Sequence, residues 1–166
     1  MKAIFERRSI RKYTGEKVSE ELVGKLLKAA MAAPSAGNQQ VWEFIVVRDR
    51  KVLEDITKAH QYSQMLKEAD LAIIVCADTS REKYKGYWVQ DCSAATENIL
   101  VEAQHLGLGA VWLGVYPVEQ RVKDIKKLFK LPEDVYPLSI ISIGHPGERK
   151  EHSDRFDKNK IHYDRW

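Results

Sequence analysis

Residues 71–77 read Leu-Ala-Ile-Ile-Val-Cys-Ala and form the longest uninterrupted apolar run of the 166-residue chain. A run of this length is far too short to cross a bilayer. Continuous apolar sequence, with no polar residue at every second position, is typical of a β-strand that is buried on both faces. The run therefore predicts the central strand of a sheet.

Helical and strand patterns alternate on both sides of this central run. Apolar residues at helical spacing predict helices over residues 20 to about 33, 51–59, 86–106 and 118–129. Aromatic and β-branched residues predict further strands over residues 42–47, 110–116 and 136–143. This alternation predicts a layered α/β fold, and 166 residues suffice for one domain with a substantial core.

The predicted helix over residues 86–106 has an unusually apolar face made of small and aliphatic side chains: Ala94, Ala95, Ile99, Leu100, Ala103 and Leu106. Such a face is typical either of the centre of a core or of a tight interface between subunits. The sequence leaves both alternatives open.

The composition excludes several classes of protein. The chain is 44% hydrophobic and 31% charged, which argues against disorder and against fibrous repeats. Charged residues appear too early at the N-terminus for a secretory signal. Cys76 and Cys92 lie within apolar segments, so we expect reduced core residues of a cytoplasmic protein. The histidines lack metal-type spacing, so we expect no metal site and mostly surface or tail positions for His60, His105, His145, His152 and His162.

The basic residues are concentrated at one place only, Arg7-Arg8-Ser9-Ile10-Arg11. Elsewhere they are interspersed with the 24 acidic residues, so a net charge of +3 does not predict nucleic-acid binding. Three guanidinium groups and a hydroxyl can bind a phosphate from several directions. The cluster therefore indicates a site for a small anion, and a solvated helix end is the alternative.

A second cluster follows the helix that ends near residue 33 and reads Pro34-Ser35-Ala36-Gly37-Asn38-Gln39-Gln40. Its three side-chain amides can each donate and accept hydrogen bonds, as the imide edge of a pyrimidine requires. Glycine in the middle lets the backbone approach a ligand closely. The alternative is an ordinary polar loop.

A third cluster is the strand end Trp112-Leu113-Gly114, which lies between two other glycines and a proline. Backbone N–H groups are exposed at such an end, where ligands of layered α and β proteins often bind. The glycine spacing is not that of a dinucleotide-binding loop, because no third glycine opens a helix.

The last twenty residues, 147–166, show no clear periodicity but end on Ile161, Tyr163 and Trp166. A free tail would not usually carry such apolar side chains. We therefore expect an extended tail that packs on its own core or on a partner subunit.

In this order the clusters resemble the nitroreductase family of FMN-dependent oxidoreductases, over nearly the whole chain. The resemblance rests on residues 6–13, 33–40, 90–108, 112–114 and 143–146. One departure is Val41, where the family usually has proline after the two glutamines. The resemblance implies a three-layer α+β fold with a central, mostly antiparallel mixed sheet. It also implies an intertwined homodimer with a shared active site.

The family's cofactor-binding residues can be placed on this sequence. Arg7 and Ser9, with Arg8 beside them, would bind the FMN phosphate, and Arg11 would lie near the pyrimidine side of the ring. The backbone of Trp112, Leu113 and Gly114 would flank the flavin ring near its redox-active nitrogen. A late arginine would return to the phosphate, either Arg155 or its rival Arg149. The second subunit would lend Pro34, Ser35, Ala36, Asn38 and Gln40.

The activity implied by the resemblance is transfer of a hydride from NADH or NADPH, through FMN, to a small oxidised acceptor such as a nitroaromatic or a quinone. Ping-pong kinetics and no catalytic side chain are expected, since the cofactor performs the chemistry. The alternatives are a flavin-binding sensor or storage protein without turnover and another branch of the superfamily, a reductive dehalogenase or a flavin-consuming enzyme.

Overall fold

The computed structural model describes residues 2–151 and 154–166. In these ranges the helices are α1 (Lys2–Glu6), α2 (Glu20–Met31), α3 (Arg50–Ala59), α4 (Trp88–His105) and α5 (Glu119–Phe129). The strands are β1 (Trp42–Val47), β2 (Leu71–Asp78), β3 (Gly109–Gly114) and β4 (Val135–Gly144). All the predicted elements are present, while the sequence analysis did not predict α1.

The four strands form one sheet in the order β1-β2-β4-β3, and every neighbouring pair is antiparallel. Residues 71–77 of β2 are at most 1% exposed, which confirms the predicted strand buried on both faces. A single parallel bridge, between Ser9 and Ala110, makes the sheet mixed at its edge. The fold is therefore α+β, with the mostly antiparallel sheet that the resemblance implied.

Helices cover both faces of the sheet and give three layers. Alternate side chains of β2 enter two separate cores, one with α2 and α4 and the other with α3 and α5. Ala95, Ile99 and Ala103 of α4 are at most 1% exposed and pack in the first core. The apolar face of α4 thus forms the centre of its own core. Cys76 and Cys92 are free and buried, as predicted.

The segment after α1 runs along the outer edge of β3. The backbone N–H of Ile10 donates to the oxygen of Ala110 at 3.0 Å. A Cβ on Gly109 would lie 2.7 Å from Cγ2 of Ile10, so this close approach requires glycine. The basic cluster of residues 7–11 is thereby placed beside β3.

The apolar side chains of residues 154–166 do not pack on the core of their own chain. Phe156 is 69%, Tyr163 83% and Trp166 100% exposed. Of the two alternatives for the tail, docking on a partner subunit stays a prediction. Across residues 2–151 and 154–166, the structure contains no helix with the length and apolar character needed to cross a membrane.

A buried carboxylate ties the start of β2 to the start of α2. The side chain of Asp70 is 1% exposed and accepts hydrogen bonds from Arg48 Nη1 at 2.6 Å and from the N–H of Val18 at 3.0 Å. Lys17 Nζ lies 2.9 Å from its other oxygen. Burial alone would raise the pKa of this carboxyl, but these hydrogen bonds and positive charges hold it below its ordinary value.

We expect Asp70→Asn to lower the free energy of unfolding at pH 7 by about 3 kcal/mol, because Arg48 would lose its buried counter-charge. A lowered native pKa stabilises the fold above the pKa of an unfolded aspartate, about 4, and this contribution disappears as the pH falls through the native pKa. Urea unfolding measured between pH 7 and pH 3 should therefore show that the free energies of unfolding of the wild-type protein and Asp70→Asn converge as the pH falls.

The matched control is Asp55→Asn, which removes a carboxylate that pairs with exposed Lys58 at 2.7 Å. We expect a much smaller loss of stability in this variant. Equal losses in the two variants at pH 7 would contradict the structural role of Asp70.

Candidate functional site

A cavity of about 450 Å³ opens beside the end of β3. We call it the edge pocket. Its lining comes from the segment after α1, the chain between α3 and β2, the end of β3 and the start of α5. The lining residues are Arg11, His60, Gln61, Tyr62, Gln64, Met65, Trp112, Leu113, Gly114 and Arg121. The structure thus brings Arg11 of the first cluster together with the third cluster.

The end of β3 turns backbone N–H groups toward this pocket. Backbone groups of successive residues in a strand point to opposite edges. The oxygen of Ala110 faces the N-terminal segment, whereas the N–H of Val115 donates to Leu138 of β4 at 3.0 Å. By this alternation, the backbone N–H and C=O groups of Trp112 and Gly114 both point to the outer edge. Binding of a ligand by the N–H groups of the third cluster stays a prediction.

Arg11 and Arg8 lie on opposite sides of the N-terminal segment. Arg11 lines the edge pocket, and its backbone N–H donates to Glu148 Oε1 at 2.6 Å. This hydrogen bond helps to hold the pKa of the Glu148 carboxyl below its ordinary value. Arg8 Nε donates to the backbone oxygen of Glu151 at 2.8 Å. Arg8 also lines a separate cleft of about 750 Å³, together with Arg149. The structure thus places Arg8 and Arg149 on one side and Arg11 on the other.

Arg7 points toward α4. Its Nε lies 3.3 Å from Glu97 Oε1, and the side chain is 23% exposed. The Nε atom itself is buried and has no hydrogen-bond partner among the described residues. Arg7 is therefore a partly shielded cation with unused hydrogen-bonding capacity.

The second cluster forms a loop that Asp91 of α4 holds in place. The N–H of Ala36 donates to Asp91 Oδ1 at 2.9 Å, and Gln39 Nε2 donates to Oδ2 at 2.6 Å. The φ angles of Gly37, Asn38 and Gln40 are 52°, 54° and 48°, all left-handed. This backbone turns the side chains of Asn38 and Gln40 outward, and both residues are exposed.

Within one chain this loop is separate from the edge pocket. Pro34, Ser35 and Ala36 line another concavity, of about 380 Å³, together with Tyr87, which precedes α4, and residues of α4 itself. The resemblance assigned these loop residues to the flavin of a second subunit, which the single chain leaves as a prediction. Arg155 is exposed, and its side chain makes no ion pair or hydrogen bond within residues 2–151 and 154–166.

Comparison with known proteins decides the family. The model of the nitroreductase family matches residues 4–77 and 55–145. The chain belongs to the nitroreductase family. A family member from Methanothermobacter thermautotrophicus, named as an NADH dehydrogenase/NAD(P)H nitroreductase, is 54% identical over all of this chain and 87% of its own length.

Solved structures of nitroreductase-like proteins agree with the fold. A protein of Clostridium acetobutylicum, named as an NADH oxidase, superimposes with a TM-score of 0.96 and 48% identity, covering 99% of both chains. An FMN-dependent nitroreductase from Clostridium difficile R20291 superimposes with a TM-score of 0.91 and 34% identity, covering both chains completely. The α+β architecture of this chain is therefore that of the nitroreductase family.

The sequence did not predict the roles of two polar residues, Asp91 and His60. Asp91 is 3% exposed and lies in an otherwise small and apolar helix face, a position at which a lone carboxylate could have signalled a specific partner. His60 is 2% exposed, unlike the surface position expected for most histidines. Its only local signal is its place just after α3, since its contacts come from distant parts of the chain. His152 lies outside the described residues.

We expect Asp91→Ala to lower the free energy of unfolding by about 2 kcal/mol, because two hydrogen bonds to a charged group are lost. The amide of Ala36 should exchange with solvent faster, since its acceptor is removed. Hydrogen exchange followed by mass spectrometry or NMR measures this change. Glu102→Ala is the matched control on α4, because Glu102 makes no hydrogen bond to the loop. Unchanged exchange at Ala36 in Asp91→Ala would contradict the anchoring role.

Proposed function

We propose that this protein is an FMN-dependent oxidoreductase that takes electrons from NADH or NADPH and passes them to a small oxidised acceptor, such as a nitroaromatic or a quinone. The observation that carries the proposal is the edge pocket, where Arg11, side-chain amides and the N–H groups at the end of β3 converge. Membership of the nitroreductase family supports the same activity.

The residues of the edge pocket fit the chemistry of FMN. Gln61 and Gln64 carry amides that can donate to and accept from the imide edge of the flavin ring. Arg11 supplies a positive charge on the same wall. For the phosphate, the segment offers Ser9 and the guanidinium of Arg7, whose buried Nε lacks a hydrogen bond. We therefore assign the ring to the edge pocket and the phosphate to the side of Arg7 and Ser9.

FMN, when bound, supplies the redox chemistry, and the chain binds and orients it. Arg11 and the N–H groups of Trp112 and Gly114 stabilise negative charge in the pocket, which favours the reduced form of the cofactor. No side chain acts as a nucleophile in this mechanism. Because donor and acceptor use the same pocket in turn, the proposal includes ping-pong kinetics.

The proposed working unit is a homodimer in which each protomer, residues 1–166, is a single domain. The partner subunit would supply the loop with Pro34, Ser35, Ala36, Asn38 and Gln40 to the flavin. The tail, residues 147–166, would pack on the partner. This contact would bury Ile161, Tyr163 and Trp166, which are 40%, 83% and 100% exposed in the single chain. Arg155 would reach the phosphate from this tail, with Arg149 as the rival.

The test of the activity is a visible absorption spectrum of the purified protein, repeated after addition of NADH or NADPH without oxygen. We expect flavin bands that bleach with the nicotinamide and return when a quinone is added. Bound flavin that stays oxidised would instead indicate a sensor or storage protein. A colourless protein that does not bind added FMN would overturn the proposal. Light scattering on the same sample gives the mass of the flavin-loaded species.

The phosphate assignment is tested by comparing two neighbouring arginines. We expect Arg7→Ala to weaken FMN binding by about tenfold or more, because a charge-assisted hydrogen bond is lost. Arg8→Ala should weaken it by less than about threefold, since Arg8 is bonded to Glu151 and lines the other cleft. Flavin fluorescence titration measures both affinities.

Equal losses of FMN affinity in Arg7→Ala and Arg8→Ala would assign Arg8 to the phosphate as well, as the resemblance implied. An unchanged affinity in Arg7→Ala would remove Arg7 from the phosphate site.

A further inference from the structure

We propose that His60 and Arg121 are positioning residues that hold and neutralise the carbonyl group of Gly114, so that this oxygen is not presented as a bare acceptor to the reduced cofactor. The proposal rests on the function proposed above and assigns a part of the site that the sequence did not indicate. Both residues act on the cofactor through the Gly114 backbone.

Two donors from different parts of the chain meet on this one oxygen. His60 Nε2 lies 2.9 Å from the oxygen of Gly114, and Arg121 Nη1 lies 3.0 Å from it. His60 follows α3, and Arg121 belongs to the first turns of α5. A carbonyl oxygen has two lone pairs, so both are used by these bonds.

The backbone of His60 is fixed by hydrogen bonds, and its side chain is enclosed by the protein. The residue is 2% exposed, and its backbone N–H donates to the backbone oxygen of Ile56 at 2.9 Å. Its backbone oxygen accepts from Oγ of Ser63 at 2.6 Å and from the backbone N–H of Ser63 at 3.0 Å. Its Nδ1 is buried and has no hydrogen-bond partner among the described residues. A proton on Nδ1 would be an unsatisfied buried donor, so the proton belongs on Nε2, where Gly114 accepts it.

The guanidinium of Arg121 is also fixed. Its central carbon lies 5.4 Å from the centre of the Tyr62 ring, within the range of a cation–π contact. Both Arg121 and Tyr62 line the edge pocket. The second donor to Gly114 is therefore a positive charge whose position the aromatic ring constrains.

Gly114 is the residue at which such control matters. It has no side chain, and a Cβ built on it would have no atom within 4 Å, so packing does not restrain it. Glycine also has the greatest backbone freedom. The two donors restrain its carbonyl group and neutralise the partial negative charge of the oxygen. The pocket wall then favours the electron-rich ring of the reduced flavin. Positive potential stabilises such a ring, whereas a carbonyl oxygen without hydrogen-bond donors would destabilise it.

The test compares variants of both donors by the reduction potential of bound FMN. We expect His60→Phe to shift the equilibrium between oxidised and reduced cofactor about fivefold toward the oxidised form, the equivalent of one neutral hydrogen bond. Arg121→Met should shift it roughly tenfold or more in the same direction, because a charged donor is lost. His60→Gln, which keeps an N–H donor, should restore at least part of the wild-type potential.

Lys123→Met is the matched control, because Lys123 is an exposed cation of the same helix that does not contact Gly114. It removes the same charge and should leave the potential nearly unchanged. A shift in Lys123→Met as large as that in Arg121→Met would overturn the proposal, since net charge alone would then explain the effect. So would an unchanged potential in both His60→Phe and Arg121→Met.

A second measurement needs no cofactor and remains valid if His60→Phe fails to fold. Long-range ¹H–¹⁵N NMR spectra of the wild-type protein report which imidazole nitrogen carries the proton. We expect a protonated Nε2 and an unprotonated Nδ1 for His60, and the opposite tautomer would overturn the proposal. Failure of the wild-type protein to bind FMN would contradict the proposed function, whereas bound FMN with unshifted potentials would contradict only the roles of His60 and Arg121.

Discussion

The pairing of the N-terminal segment with the outer edge of β3 is the constraint on which the candidate site depends. An edge strand has unpaired N–H and C=O groups along one side. The chain covers this side at Ala110, where Ile10 donates its N–H, but not at the end of the strand. The edge pocket begins where this pairing stops. A ligand there takes the position that a further strand would occupy, and it meets backbone donors already fixed by the sheet.

The same pairing divides the basic cluster between two surfaces. Arg7, Arg8 and Arg11 lie within five consecutive residues, and the sequence predicted that they form one site for a small anion. The structure ends α1 at Glu6, and pairing with β3 begins only three residues later, at Ser9. Side chains of a segment paired in this way alternate in direction. Arg8 and Arg11 therefore serve different cavities, a division that depends on tertiary pairing and is invisible in residue spacing.

Local patterns predicted most of the fold. The apolar run of β2 and the periodicity of α2, α3 and α5 act over a few residues, so the sequence contains them directly. Burial of β2 on both faces did not reveal its antiparallel pairing, because that burial is compatible with either direction. The resemblance to a family supplied this part of the prediction.

Contacts between distant segments account for what the sequence did not predict in the site. The bond from His60 to Gly114 joins residues 54 positions apart, and that from Ala36 to Asp91 joins residues 55 positions apart. No periodicity relates such pairs, and each residue alone fits an ordinary interpretation, a surface histidine or a helix carboxylate. Burial supplies the missing information, because a buried polar group must find a specific partner.

The loop after α2 has a backbone conformation that bears on the proposed second subunit. A left-handed backbone is unfavourable for residues with a Cβ, and Asn38 and Gln40 both adopt it. The hydrogen bond from Gln39 to Asp91 holds this conformation, yet the side chains of Asn38 and Gln40 remain exposed. Strain of this kind persists where the surroundings fix it, and it is common at binding sites. The conformation leaves these two amides exposed, with Gln40 Nε2 donating to Asn38 Oδ1 at 2.8 Å, and the proposed flavin of a partner subunit would contact them there.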